Sequence, residues 1–236
     1  MKSVALWWMK KGNNFGDILS PKIFEHFCIP YNYTSEKNAN TICIGSIAGR
    51  AKNNVTVLGS GIMRNKVKLN PKAKWKFVRG PYTRKKVLRS GSNCPDIHGD
   101  PALLLPLLVN ESEKEYKIGI VPHFVDYDDI KKEYPNYHVI NLVNSDPLSV
   151  AKEITKCEKI ISTSLHGIVC AHAFHIPAAW VKYSNRLNGD DIKFYDHYES
   201  INAKAKISTI ENPHFTTGAP KIDFMCEMFE EFKNEH

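Results

Sequence analysis

Residues 159–177 read KIISTSLHGIVCAHAFHIP, and this stretch decides the fold. It opens with a β-branched pair, turns through small hydroxyl residues, and continues as an apolar run that Pro177 ends. A β-rich run is typical of a strand, whereas the alanine-containing segment 168–174 is too long for a strand and is typical of a helix. The pattern therefore predicts a strand, a tight turn and a helix. The residues expected at the junction are Ser164, Leu165, His166 and Gly167.

A junction of this kind favours an anion, because the free N–H groups and the positive dipole end of the helix point toward it. In an open α/β sheet, ligands also bind outside the carboxyl ends of the strands. An imidazole can exchange protons near neutral pH, so His166 is a candidate for proton transfer. A helix cap or a half-buried packing residue is the alternative interpretation. His172 and His175, on the same helix, are interpreted as ordinary core or partly exposed histidines.

The bulk composition is that of an ordinary globular protein with a basic surface. The chain has 236 residues, 42% of them hydrophobic and 24% charged, which is enough for one large domain or two small ones. A net charge of +7 favours anionic ligands or surfaces, such as phosphate esters, lipid headgroups or nucleic acid. Because the charge is diffuse and lacks a platform of interleaved aromatic residues, we predict no nucleic-acid partner.

The cysteines and the N-terminus indicate a cellular location. Six cysteines are scattered without a CxxC pair, which predicts free thiols in a reducing compartment and no metal site. The start of the chain has too few apolar residues for a signal peptide, and no apolar run approaches membrane-spanning length. We therefore expect a cytoplasmic protein, with peripheral contact at the inner membrane surface as a further prediction.

The N-terminal half begins with a strand, a glycine loop and a helix. The strand is predicted over 4–9, the loop over 11–16 and the helix over 17–27, with Asp17 as the N-cap. The loop is neither GxGxxG nor a Walker sequence, so it predicts no nucleotide site by itself.

Three further strands of this half end in residues suited to a ligand. Strands over 41–44 and 55–58 run into glycine–serine turns, and small residues there let a ligand approach the backbone. Simple tight turns are the alternative interpretation. A strand over 74–78 delivers Arg79 to another junction, where a guanidinium can hold a carboxylate or phosphate at two points. The turn residues are Gly45, Ser46, Gly59, Ser60 and Gly61.

The C-terminal half repeats the alternation. A polar stretch at 110–115 separates the halves, so we predict domains over 1–110 and 111–236. Strands are predicted over 117–121, 138–143 and 178–181, and helices over 128–134, 148–157 and 190–200. Apolar residues at helical spacing near the end of the chain predict a last helix that packs back across the domains. Strands alternating with helices in both halves predict an α/β fold of two Rossmann-like domains that face a cleft.

A set of short motifs, in this order, resembles the polysaccharide pyruvyltransferase family. The motifs are Asn14-Phe15-Gly16-Asp17, Gly45-Ser46-Ile47, Arg79-Gly80, Gly99-Asp100-Pro101-Ala102, Ile118 to His123 with Asp126, and Ser164-Leu165-His166-Gly167. The resemblance implies a compact fold similar to GT-B glycosyltransferases. It also implies a reaction in which phosphoenolpyruvate donates pyruvate to two hydroxyls of a glycan sugar, forming a cyclic ketal and releasing phosphate.

The resemblance also assigns roles. The family's essential histidine falls on His166 as general acid/base, and the arginine that holds the donor's anionic groups falls on Arg79. Many members carry an arginine directly before Leu-His-Gly, where this chain has Ser164, and Lys182, Arg186 or Lys193 are candidates to compensate for it. The predicted donor-binding set is Arg79, Ser164, Leu165, Gly167, Lys182 and Arg186.

The acceptor sugar is expected to contact the N-terminal half. The predicted acceptor-binding set is Asn14, Asp17, Gly45, Ser46, Ser60 and His123. His123 is a candidate second proton carrier, with a structural loop histidine as the alternative. The implied mechanism needs no metal and no cofactor besides phosphoenolpyruvate as donor substrate, and a lipid-linked glycan precursor is a further candidate acceptor.

Two other functions stay open at this point. A nucleotide-sugar-dependent glycosyltransferase of similar fold would use His166 and the helix terminus on a diphosphate. A non-catalytic basic protein would bind a glycan or nucleic acid, with an affinity that falls steeply with salt.

Overall fold

A computed structural model of the chain describes residues 2–10, 12 and 14–236. Lys11 and Asn13, in the predicted glycine loop, lie outside the described residues. The described residues form two separate sheets with helices between their strands, which confirms the α/β prediction and the presence of two parallel sheets. The domain boundary near 110 stays a prediction.

The first sheet has five strands, all parallel, in the order β2-β1-β3-β4-β5. Its strands are β1 Val4–Trp7, β2 Tyr31–Tyr33, β3 Thr41–Ile42, β4 Thr56–Leu58 and β5 Lys74–Phe77. Helix α1 (Leu19–His26) connects β1 to β2, and helix α2 (Pro81–Arg89) follows β5. A 3-10 helix over Pro101–Leu107 then leads toward the second sheet.

The second sheet has six strands in the order β10-β9-β8-β6-β7, with β11 antiparallel to β9. Its strands are β6 Gly119–Val121, β7 His138–Val139, β8 Ile160–Ser162, β9 Ala178–Val181, β10 Ile207–Ser208 and β11 Phe215–Thr216. The helices of this half are α3 Tyr127–Glu133, α4 Pro147–Thr155, α5 Leu165–Ala173, α6 Ile192–Ser200 and α7 Asp223–Asn234. No helix formed by the described residues is long and apolar enough to cross a membrane.

The sequence misplaced some element boundaries. Helix α1 begins at Leu19, and its N-cap is Ile18 rather than Asp17. The Asp17 carboxylate instead accepts a hydrogen bond from the Asn14 side-chain amide at 2.9 Å, because 15–18 form a turn before the helix. Strand β7 has two residues and not six, since the chain turns where the Asn141 side chain accepts from the Val143 N–H.

Three strands were missed because they are short and little buried. Strand β2 holds two tyrosines around an asparagine at the sheet edge, and β10 and β11 have two residues each. The antiparallel β11 also means that the second sheet is not wholly parallel, as a sheet of pure strand–helix repeats would be.

One large core cluster runs through both halves. It joins Phe24 and Phe77 of the first half to Leu165 and Trp180 of the second. The last helix, α7, lies against the first half, where the Phe229 ring stacks on Phe27 with centroids 5.0 Å apart. Packing in this shared cluster brings the carboxyl end of β8 close to the loop around Gly16 of the first half.

Candidate functional site

The turn between β8 and α5 places His166 at the start of a buried helix, as the sequence predicts. The Ser162 side chain fixes this turn: its hydroxyl accepts from the Ser164 N–H at 3.0 Å and donates to the Val121 carbonyl at 2.6 Å. A Cβ on Gly167 would lie 2.5 Å from that hydroxyl, so only glycine lets the helix pack this closely. Ser164 is the N-cap in extended backbone conformation, and its side chain caps no N–H.

His166 faces a buried carboxylate. Its Nε2 lies 3.5 Å from Oδ2 of Asp100, and Asp100 is fully buried while His166 is 8% exposed. The other carboxylate oxygen accepts the Ala102 N–H at 3.0 Å and caps the 3-10 helix. Apart from this contact, which is longer than a normal hydrogen bond, neither Oδ2 of Asp100 nor Nε2 of His166 has a hydrogen-bond partner among the described residues.

The Asp100 carboxyl is held in its charged form. Burial by itself raises its pKa, but the hydrogen bond and charge of His166, the charge of Arg79 and the Ala102 N–H together bring that pKa below its usual value. A charged carboxylate at this distance can orient the imidazole ring and accept an N–H from Nε2. The pair is therefore suited to a histidine that carries a proton during a reaction.

The first half covers the other side of the imidazole. A Cβ on Gly16 would lie 1.9 Å from Nδ1 of His166, so the backbone of the Asn14–Asp17 motif lies directly on the ring. Asp17 bonds to the Asn14 side chain and lies beside Gly45, whose φ of +115° favours glycine. Three of the predicted acceptor residues, Asn14, Asp17 and Gly45, thus lie together next to His166.

Arg79 is buried and already engaged. Its Nε lies 3.2 Å from Oδ2 of Asp196, its Nη1 donates to Ser46 at 2.8 Å, and its Nη2 donates to the Ile62 carbonyl at 2.8 Å. The side chain has no exposed surface. A guanidinium has more N–H donors than these contacts use, so contact with a donor anion needs movement of neighbouring groups rather than loss of these bonds.

The glycine–serine turns shape the pocket that holds this arginine. Gly61 lies so close to the guanidinium that a Cβ would be 2.2 Å from its Cζ. Ser46 accepts from Arg79, whereas the buried Ser60 hydroxyl donates to the Gly45 carbonyl at 2.8 Å. Ser60 therefore serves the turn itself, and Ser46 links the turn to Arg79.

His123 lies near the same residues and is kept neutral. Its backbone N–H donates to the Thr163 hydroxyl at 2.8 Å, which ties the end of β6 to the turn before α5. Burial, assisted by the charges of Lys193 and His166, lowers the pKa of His123 to about 4, against a smaller opposite effect of Asp126. A neutral imidazole can accept a hydrogen bond, but with so low a pKa it is a weak base at neutral pH, so the role of second proton carrier stays a prediction.

The two exposed cations of the predicted donor set are paired with acids. Lys182 lies 2.9 Å from Asp191, and its side chain is 44% exposed. Arg186 contacts Asp126 at 3.1 Å and Asp129 at 2.6 Å, with 49% of its side chain exposed. Leu165, also in that set, is a core residue. The donor roles of all three stay predictions.

Three residues of the site region had no assigned role in the sequence analysis or were named there only as one candidate among several. Asp100 stands in the quoted GDPA motif, which was a visible signal for it. Asp196 carried no signal, because a single acid in a polar helix looks solvent-exposed until the fold pairs it with Arg79. Lys193 was named only as one of several compensating cations.

Behind the site lies a buried histidine pair. Nε2 of His172 must donate to the Thr216 carbonyl at 3.1 Å, so its Nδ1 accepts from Nε2 of His197 at 3.0 Å. His172 is therefore a core histidine, as interpreted from the sequence. No three or more His, Cys, Asp or Glu side chains in the part of the chain that the structure describes are grouped to hold a metal ion.

Comparison with known proteins agrees with the motifs. Residues 14–185 match the polysaccharide pyruvyl transferase family, a segment that contains every predicted site residue except Arg186. The chain is 31% identical over 215 residues to uncharacterized protein L143 of Acanthamoeba polyphaga mimivirus, covering 83% of this chain and 74% of that protein. It is 27% identical over 197 residues to succinoglycan biosynthesis protein ExoV of Rhizobium meliloti (strain 1021), covering 77% of this chain and 60% of ExoV. No solved structure matches the chain, and the predicted likeness to GT-B enzymes stays a prediction.

Proposed function

This chain belongs to the polysaccharide pyruvyl transferase family, and on that premise we propose that it is a phosphoenolpyruvate-dependent ketal pyruvyltransferase. Family membership implies a sugar or polysaccharide acceptor. The observation that carries the proposal is the buried His166–Asp100 pair at the start of α5, covered by the Gly16 loop. The donor, the ketal product and a cytoplasmic location are all part of this proposal.

The proposed reaction balances in protons and charge. The methylene carbon of phosphoenolpyruvate gains a proton and becomes a methyl group, while the first sugar hydroxyl adds to the adjacent carbon. Phosphate then leaves with the electron pair of its C–O bond, and the second hydroxyl adds to the same carbon to close the ketal. The two protons lost by the hydroxyls end on the methyl group and on phosphate.

We assign these proton transfers to His166. An imidazole can deliver a proton to the methylene carbon and later accept one from a hydroxyl, a contribution of about 10²–10⁴ in rate. The Asp100 carboxylate beside Nε2 orients the ring and stabilises positive charge that develops on it during proton transfer. Asp100 touches no substrate in this scheme and acts as a positioning residue for His166.

The carboxylate and phosphate of phosphoenolpyruvate need hydrogen-bond donors and cations from the protein. The first N–H groups of α5 are free of helix partners and point toward an anion placed next to His166. Arg79 adds a positive charge close to Asp100 and has N–H groups to spare. On the other face of His166, the Asn14 amide and Asp17 carboxylate offer the polar contacts that a sugar needs.

The test is an assay of phosphate release from phosphoenolpyruvate with a set of candidate glycans. We expect release only when an acceptor is present, together with a product heavier than the acceptor by one pyruvic acid less one water. His166→Asn removes the proton carrier with little change in volume, so turnover should fall by about 10²–10⁴-fold while the melting temperature stays near that of the wild type.

Each competing function has its own result in that assay. Release of a nucleoside diphosphate from a nucleotide sugar, without any use of phosphoenolpyruvate, supports the glycosyltransferase and contradicts the proposal. Glycan binding that survives His166→Asn, without any turnover in the wild type, supports a binding protein. A His166→Asn variant with near-normal turnover would remove this residue from the mechanism.

A further inference from the structure

We propose that Lys193 supplies the donor-site cation that this chain lacks at Ser164, and that it binds an anionic group of the donor. This inference rests on the proposed function. It concerns a residue outside the segment 14–185 that matches the family, so the family match by itself assigns it nothing.

Lys193 is a buried cation without a counter-ion. Only 7% of the residue is exposed, yet no carboxylate among residues 2–10, 12 and 14–236 lies within 4.0 Å of its Nζ. Its nearest ring contact is Phe194, with Nζ 5.2 Å from the centroid. Buried charges are normally paired, because an isolated ammonium loses its hydration on burial. Lys193 Nζ is not among the fully buried atoms that lack a hydrogen-bond partner, so this largely buried ammonium stays accessible and is suited to a site whose anion arrives from outside.

The position of Lys193 in α6 directs it to the site. Lys193 and Asp196 are three residues apart and lie on the same face of the helix, and Asp196 holds Arg79. The charges that act on Lys193 come from both halves, namely Arg79 and Asp17 of the first and Asp191 of the second. Lys193 in turn acts on His123. His166 acts on His123 as well, so Lys193 and His166 both lie near that ring.

The ammonium stays largely charged at neutral pH. Burial lowers the pKa of Lys193 to about 8, and the charge of Arg79 lowers it in the same direction, against Asp191 and Asp17. An arriving carboxylate or phosphate would supply the missing negative charge and relieve this cost.

The other two candidate cations are less suited to this role. Lys182 and Arg186 are roughly half exposed, and carboxylates within 3.1 Å already neutralise both. Ser164, in contrast, has a side chain that caps no N–H at the start of α5, and the residue is only 5% exposed. An arginine side chain at 164 would begin on the same helix terminus that we propose for the donor.

The experiment compares four proteins: the wild type, Lys193→Met, Ser164→Arg with Lys193→Met, and Lys204→Met. Methionine keeps most of the volume of the lysine stem, so the fold should be retained. Lys204 follows α6 and is exposed, and its substitution serves as the matched control. Two quantities are measured for each protein: the dissociation constant of phosphoenolpyruvate by calorimetry, and its KM in the phosphate-release assay.

We expect Lys193→Met to raise the dissociation constant of phosphoenolpyruvate by about 10- to 100-fold, which is typical of the loss of a charged hydrogen bond. The value of kcat should fall much less, Lys204→Met should leave both constants unchanged, and Ser164→Arg should restore part of the lost affinity. Unchanged affinity in Lys193→Met overturns the inference, as does an equal loss of affinity in Lys204→Met.

Binding also separates this inference from the proposed function. A wild type that binds phosphoenolpyruvate through Lys193 but transfers nothing contradicts the proposed function and supports the cation site. A wild type that binds neither phosphoenolpyruvate nor inorganic phosphate overturns both. A Lys193→Met protein with an altered circular dichroism spectrum is replaced by Lys193→Gln, to which the same outcomes apply.

Discussion

At the scale of single residues, Asp100 has two tasks carried by different oxygens. Oδ1 caps the 3-10 helix through the Ala102 N–H, and Oδ2 faces His166. An asparagine can keep the first contact through its carbonyl oxygen. Its amide would then face Nε2 of His166 as a donor and hold a neutral imidazole that cannot deliver a proton. The substitution therefore separates the structural task from the chemical one.

For Asp100→Asn we expect kcat to fall by about 10²–10⁴-fold, because the amide would hold the His166 ring in a tautomer that cannot deliver the proton. The dissociation constant of phosphoenolpyruvate should change little, since Asp100 contacts no donor group in the proposed site. Steady-state kinetics and calorimetry measure the two quantities. Loss of affinity and of thermal stability together, with kcat unchanged in the folded fraction, would make Asp100 a structural residue only.

The sequence located His166 but not its partner. A histidine that follows a strand and opens a helix is readable from local pattern, because strand, turn and helix are all encoded within 159–177. The distance to Asp100 depends on how α5 packs against the 3-10 helix over Pro101–Leu107, and no local rule contains that packing. Gly16 is a similar case, since its contact with His166 crosses from one sheet to the other.

At the scale of elements, helix α6 joins the two halves through α2. Asp196 of α6 accepts from Nε of Arg79, and also from the N–H and hydroxyl of Thr83 at 2.9 and 2.6 Å. Gly80 permits this approach, because a Cβ there would lie 1.9 Å from the Asp196 carbonyl oxygen. The pair is fully buried, so the two charges depend on each other more than a surface pair would.

We expect Asp196→Ala to lower the free energy of unfolding by about 3–5 kcal/mol, because Arg79 is left buried without its counter-ion. Glu199 provides the matched control on the same helix. It accepts from the Tyr82 hydroxyl at 2.8 Å across the same pair of helices but at the surface, and Glu199→Ala should cost about 1 kcal/mol or less. Urea titration followed by circular dichroism measures both. Equal losses for the two variants would contradict the importance of the buried pair.

Most long elements were predictable and most short ones were not. Helices α4 and α6 lie within a few residues of their predicted bounds, and in α4 a first-turn proline and apolar spacing mark the helix. Asp17 shows the limit of such signals. It has the chemistry of an N-cap, but its bond to the Asn14 side chain keeps it outside the helix.

At the scale of the whole molecule, the two sheets share one large core cluster, beside which each half has a smaller cluster of its own. The largest buried cluster takes residues from both halves, and helix α7 closes it from the C-terminal end of the chain. Phe229 is fully buried, stacks on Phe27 and meets Phe24 and Phe77 edge-on. The last helix of the sequence thus stabilises the first sheet, and the halves should unfold together.

This arrangement predicts a single unfolding transition that shifts as a whole when α7 is weakened. Phe229→Ala removes a buried aromatic ring, so the free energy of unfolding should fall by about 3–5 kcal/mol with the transition still single. Glu230→Ala, an exposed position on the same helix, is the control and should change stability by less than about 0.5 kcal/mol.

The fluorescence of Trp7, Trp8 and Trp75 reports on the first sheet, that of Trp180 reports on the second, and far-ultraviolet circular dichroism reports on both. If the halves were independent, Phe229→Ala would split the transition. In a Phe229→Ala protein in which Trp180 is the one remaining tryptophan, the Trp180 fluorescence would then change at the urea concentration found without Phe229→Ala. A shared core instead requires that the Trp180 signal shift by the same amount as the circular dichroism.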